Sequence, residues 1–155
     1  MVNIYFLDSS ALIKRYVVEI GSPWIKTLTD SATGNSLLLV RITWVEVLSA
    51  FARRQREGGI TPAEVAALIQ TFRSEFNSRY RVIEVDKGLV ERAGELIVEY
   101  PLRAYDAVQL ASALRVQYLL TLIPETQVVF VSADNRLLNI AQSAGLAIDN
   151  PNNYP

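Results

Sequence analysis

The chain has 155 residues, 50% of them hydrophobic and 20% charged, which is the length and composition of one globular domain with a real core. It has no cysteine and no histidine, and this excludes disulfides, thiolate or imidazole metal sites, and every mechanism with a histidine base. A formal net charge of −1 gives no global pull on nucleic acid, so a polyanionic ligand needs local basic patches or bound cations.

In chain order, the apolar run over 2–7 reads as a buried strand and 10–19 as a helix. Gly21-Ser22-Pro23 restarts a helix, with Ser22 as N-cap and Pro23 at its first position. After the turn at Gly34-Asn35, SLLLVR over 36–41 is a second strand, and 43–57 is a helix stopped by Gly58-Gly59. Thr61-Pro62-Ala63-Glu64 is a capping box opening a helix to 79. A third strand over 81–85 precedes a helix over 86–100 and a break at Pro101. A long apolar helix over 104–122, a strand over 128–131, a helix over 134–144 and a short edge strand over 146–148 follow. Residues 150–155 form a polar, proline-bearing tail behind a single domain over 1–149.

Short, solidly apolar strands alternating with helices predict an α/β fold: a three-layer α/β/α sandwich around a parallel sheet of four to five strands. In such sheets ligands bind at the edge where the strands end. Acids stand at or just past those ends: Asp8, Glu46, Asp86 and Asp134, with Asp106 opening the long helix after Pro101. Each has a plain structural explanation. Thr43-Trp44-Val45-Glu46 fits a capping box stapled by Ile42 and Val47, and Asp8, Asp86 and Asp134 suit N-caps. The helix dipole favours Asp106. Collectively these explanations are strained, because two carboxylates 4 Å apart at an effective dielectric of 20 repel by about 4 kcal/mol. A cluster of them requires protonation or a cation, and an all-oxygen donor set selects a hard one, Mg²⁺ or Mn²⁺.

Four segments in order, YFLDSSALIKRY, ITWVEVLSAF, LRAYDAVQLASAL and VVFVSADNRLLNIAQSAGL, resemble the PIN-domain ribonuclease family, and within it the VapC-type toxins of toxin–antitoxin pairs. The resemblance implies a PIN-like fold and an acidic Mg²⁺ or Mn²⁺ pocket built from Asp8, Glu46, Asp106 and Asp134. Asp86 matches no metal position of the family and keeps its capping role. Ser132 stands where a threonine is frequent, and the first motif offers its hydroxyl at Ser9 or Ser10, with the choice left open.

The expected activity is metal-dependent endoribonuclease, with an RNA substrate, an antitoxin partner, a homodimer and a cytoplasmic location without membrane contact. Lys14, Arg15, Arg103 and Arg136 are candidates to guide RNA, and solvated surface charge is the plainer reading of each. The Arg53–Arg56 cluster suits phosphate or a helix dipole, and Tyr105 suits core packing before base stacking. Apolar faces around Val17, Val18 and Trp24, and around Val65, Leu68 and Phe72, suit either a partner or the core. The alternatives are a haloacid-dehalogenase-like phosphatase, whose second acid is replaced here by Ser10, a receiver domain, whose paired early acids are missing, and a binding module whose acids only cap helices.

Overall fold

A computed structural model describes residues 1–155. Strands β1 (Val2–Leu7), β2 (Ser36–Val40), β3 (Arg81–Ile83), β4 (Thr126–Val131) and β5 (Ala147–Asp149) run parallel in one sheet ordered β3-β2-β1-β4-β5. The helices are α1 (Ser9–Tyr16), α2 (Ser22–Leu28), α3 (Thr43–Arg56), α4 (Pro62–Ser78), α5 (Lys87–Glu99), α6 (Ala104–Leu120) and α7 (Asn135–Ser143). This is the three-layer sandwich expected from the sequence.

The strands are apolar throughout because alternate side chains serve opposite cores. Phe6, Leu38, Val40, Val128 and Phe130 face a core of 17 buried residues shared with α5, α6 and α7. Leu7, Leu37, Leu39, Val129 and Val131 face a second of 16, shared with α1, α2, α3 and α4. Each large side chain so buried contributes about 1.5–3 kcal/mol. The central strands are locked in register where Phe6 meets Phe130, ring on ring at 5.7 Å.

Two local expectations are corrected, and one open alternative is resolved. The first helix stops at Tyr16 because Val17, in a β-branched pair with Val18, turns extended. Ser22 is not the N-cap of α2; Gly21 is, at φ 84°, and Ser22 Oγ instead accepts from Glu19 N at 2.8 Å. A Cβ on Gly21 would lie 2.3 Å from the Pro151 carbonyl oxygen, so only glycine lets the C-terminal segment close over this turn. That segment is packed: Pro151 is buried and the Tyr154 ring stacks on Trp24 at 4.6 Å. Val65 and Phe72 belong to the second core, so the α4 face is occupied from within. Exposed apolar side chains lie elsewhere, among them Val18, Val98, Tyr118, Leu119 and Leu122. No helix is long and apolar enough to cross a membrane.

Candidate active site

The parallel sheet brings its strand ends to one edge, and the acids arrive there with them. Asp8 follows β1, Glu46 lies in the early turns of α3 after β2, Asp134 follows β4, and Asp106 sits in the first turn of α6. All four line one cleft of about 890 Å³.

Asp8 is the buried member. It caps α1 by accepting from Ala11 N at 2.9 Å, as its helix-capping explanation predicts. It also does more. Ser10 Oγ donates to Oδ1 at 2.7 Å and Ser132 Oγ to Oδ2 at 2.6 Å, so a hydroxyl fixes each oxygen. Ser10 Oγ accepts from Ala133 N at 2.9 Å and Ser132 Oγ from Asp134 N at 3.1 Å, which ties the end of β1 to the end of β4. Burial pushes the Asp8 carboxyl up to about 6; the hydroxyls and Ala11 N–H oppose this, and the charge of Glu46 adds to it.

The capping box predicted at Glu46 does not form. The N-cap of α3 is Ile42 without a side-chain bond, so Thr43 is already helical and Glu46 falls one place too late to reach back. Its carboxylate turns into the cleft, where Ser9 Oγ donates to Oε2 at 3.1 Å and Gln109 Nε2 to Oε1 at 2.7 Å. The two serines are thereby divided: Ser10 serves Asp8 and Ser9 serves Glu46. Burial raises Glu46 as well, against the bonds of Gln109 and Ser9 and with the help of Asp106. Burial raises Asp106, Asp134 adds to it, and Arg103 and Arg136 oppose it. Each acid therefore feels the next along the cleft. Asp134 caps α7 through Oδ1 alone, accepting from Arg136 N at 2.9 Å and Leu137 N at 3.2 Å, which leaves Oδ2 without a protein partner.

Asp86 stands apart. It caps α5 through Leu89 N at 2.8 Å, and the Arg115 guanidinium, bonded to both oxygens, holds its carboxyl down at about 2.

Of the predicted cations, Lys14 and Arg103 line the cleft. Arg136 reaches an adjoining hollow beside Asp106 and Asp134, where Nη2 donates to Pro101 O at 3.1 Å. Arg15 is turned away; it is bound to Glu75 of α4 at 2.8 Å and 3.0 Å and cannot guide a ligand into the cleft. Arg53, from the basic end of α3, lines the cleft instead. Tyr105 is exposed at the cleft and not in the core. Sequence reasoning missed Gln109, which bridges Glu46 and Thr43 Oγ1 (2.9 Å) from a buried position, and Glu19, which also lines the cleft. Gln109 was signalled by its place three residues after Asp106, on the same helix face amid apolar neighbours.

No three of the acids are gathered tightly enough to cage one ion by direct contact. The donor set is nonetheless hard oxygen, short of positive charge, and partly withdrawn from water. That fits an ion that keeps most of its own waters and touches one or two carboxylates, as Mg²⁺ does. A phosphatase reading gains nothing: Ser10 stands where its second acid is expected.

Comparison with known proteins agrees with this fold. The PIN domain family model matches residues 5–142. The chain belongs to the PIN-domain family. Ribonuclease VapC45 of Mycobacterium tuberculosis is 31% identical over 145 residues, covering 94% of this chain and 93% of its own, so the resemblance to VapC-type members stands. Among solved structures, FitAcB from Neisseria gonorrhoeae matches with a TM-score of 0.66 at 13% identity, over 96% of this chain and 98% of that one. A toxin-antitoxin complex from Klebsiella pneumoniae matches with a TM-score of 0.61 at 19% identity, over 95% and 97%.

Proposed function

We propose that this PIN-domain chain is an endoribonuclease that works with Mg²⁺ or Mn²⁺ and acts as the toxin of a type II toxin–antitoxin pair. One observation carries the reading: Asp8, Glu46, Asp106 and Asp134 come from four separate segments to line a single cleft, three of them with carboxyls raised by burial. These four would hold the ion, directly or through water. When bound, it supplies the positive charge that acidifies a water and stabilises a phosphodiester under attack.

The chain's own groups do the rest. Ser10 and Ser132 hold the two Asp8 oxygens, and Ser9 and Gln109 hold those of Glu46, so neither carboxylate reorients when charge develops beside it. Arg53 and Arg103, on α3 and beside α6, put positive charge on two sides of the acids to draw in a phosphate backbone. Tyr105 offers an exposed ring to a base. Similarity to a mycobacterial ribonuclease and to the toxin-antitoxin complex from Klebsiella pneumoniae supports an RNA substrate and a protein antitoxin. Exposed Val98, Tyr118, Leu119 and Leu122 support pairing with a second copy.

The test is cleavage of end-labelled single-stranded RNA by the purified protein. Internal cuts are expected with Mg²⁺ or Mn²⁺, lost in EDTA and restored when the ion is returned. Intact RNA under both ions, together with a thermal midpoint that neither ion moves, would overturn the reading.

A further inference from the structure

Beside the acids lies a second charged constellation that the proposed chemistry does not use. Lys14 follows Ser10 by four residues and so lies one turn along the same face of α1. It lines the cleft yet is only 5% exposed. Its Nζ donates to Glu19 Oε2 at 3.0 Å. Arg54 Nη2, from α3, donates to the other oxygen, Glu19 Oε1. Two cations from two helices thus take one oxygen each of a single carboxylate.

The three partners differ in how firmly they are held. Lys14 and Arg54 are set in helices, whereas Glu19 sits in the loop between α1 and α2 and its side chain is 24% exposed. The loop member can leave while the helical members stay. A buried ammonium is costly without an anion beside it, so what replaces Glu19 must itself be anionic. The two non-bridging oxygens of a phosphodiester offer the same pair of acceptors as the carboxylate, and Lys14 and Glu19 line the cleft that holds Asp8, with Arg54 behind them.

We propose that Lys14 and Arg54 form a subsite for an RNA backbone phosphate next to the catalytic acids, and that Glu19 occupies it in the free protein as a surrogate which the incoming strand displaces. The inference rests on the nuclease reading above and adds to it an internal competitor for substrate. A carboxylate in the subsite lowers apparent affinity by the fraction of time that the subsite is closed.

The sign of one substitution decides the matter. In a non-cleaving Asp106→Asn background with Mg²⁺ present, binding of fluorescein-labelled single-stranded RNA is followed by anisotropy. Adding Glu19→Gln should tighten binding about fivefold, the scale of one partly exposed ion pair. It should also steepen the dependence of log K on log salt by about 0.7, one more single-strand phosphate neutralised without a protein anion being released. Arg54→Gln should weaken binding. If Glu19 only braces Lys14, Glu19→Gln binds RNA no better than its parent or worse, and the proposal fails while the nuclease reading survives. If no variant binds RNA, the nuclease reading itself falls. Should Glu19→Gln unfold around its unpaired ammonium, the double change Lys14→Met with Glu19→Gln removes the buried charge; Arg54→Gln must still weaken RNA binding there, and no effect overturns the subsite.

Discussion

Helix α1 contributes to two clusters of buried and half-buried polar groups that treat a carboxylate in opposite ways. On one side, Glu75 of α4 receives Arg15 through both oxygens and the Tyr16 hydroxyl at 2.5 Å, while Tyr16 and Tyr80 meet at 2.8 Å. Burial alone would raise Glu75, but Arg15 and Tyr16 outweigh it and hold its carboxyl below the usual range. On the other side, Asp8 is buried with hydroxyls and one backbone amide for partners and no cation bonded to it, and its carboxyl rises to about 6. The first cluster is electrically complete and serves the fold. The second is left short of positive charge, which is the signature of a site that expects a ligand.

The contrast is broken most forcefully by substitution at its two centres. Asp8→Asn should lower RNA cleavage roughly a thousandfold, the scale of losing a preorganised electrostatic group, while asparagine still caps α1 and the metal-free fold is kept. Full activity in that variant, read in the same gel assay, would end the assignment of Asp8. Arg15→Met does the reverse. It leaves the half-buried Glu75 without its main partner and should destabilise by about 1–3 kcal/mol in urea unfolding, with cleavage per folded molecule retained.

Acidity sharpens the comparison next. Asp8 ordinarily releases its proton near 3.8 but keeps it in the fold up to about 6, so between those values the folded state holds more protons than the unfolded one. Its contribution therefore falls as pH rises through that window, by about 3 kcal/mol, and Glu46 and Asp106 act in the same direction. Glu75 acts oppositely: its contribution is present above the ordinary carboxylate range and is lost as pH falls through its lowered value. Calorimetry of the metal-free protein should show a higher midpoint at pH 5 than at pH 7.5. Mg²⁺ or Mn²⁺ should raise the midpoint at pH 7.5 and do far less at pH 5; an equal shift at both would separate the ion from these carboxylates. The smallest effect belongs to Asp86→Asn, which should leave cleavage unchanged within assay error, since its carboxylate faces Arg115 and not the cleft.

How much of this was legible follows from the range of the forces involved. The layer order was readable because apolar runs such as VVFV and LLLV state that both sheet faces are buried. The cap roles of Asp8, Asp86 and Thr61 were readable because a cap bond spans two or three residues. Glu46 was ambiguous for the same reason: its capping box depends on the helix starting one residue later than it does. The partners that hold its carboxylate in the cleft, Ser9 and Gln109, lie 37 and 63 residues away. Arg15 and Lys14 are neighbours in sequence yet point to opposite clusters, a difference set by helix phase and by what stands across each gap. Adjacency to an acid in the sequence could not distinguish them.

The turn at Gly21 lies two residues beyond Glu19, and Pro151 backs directly onto it. The end of the chain and the wall of the cleft are therefore mechanically joined: Tyr154 grips Trp24, Pro151 bears on Gly21, and the loop carrying Glu19 hangs from that hinge. A weight attached behind Tyr154, or a load that peels the last turn from α2, bears on the loop of Glu19 without touching Asp8, Glu46, Asp106 or Asp134.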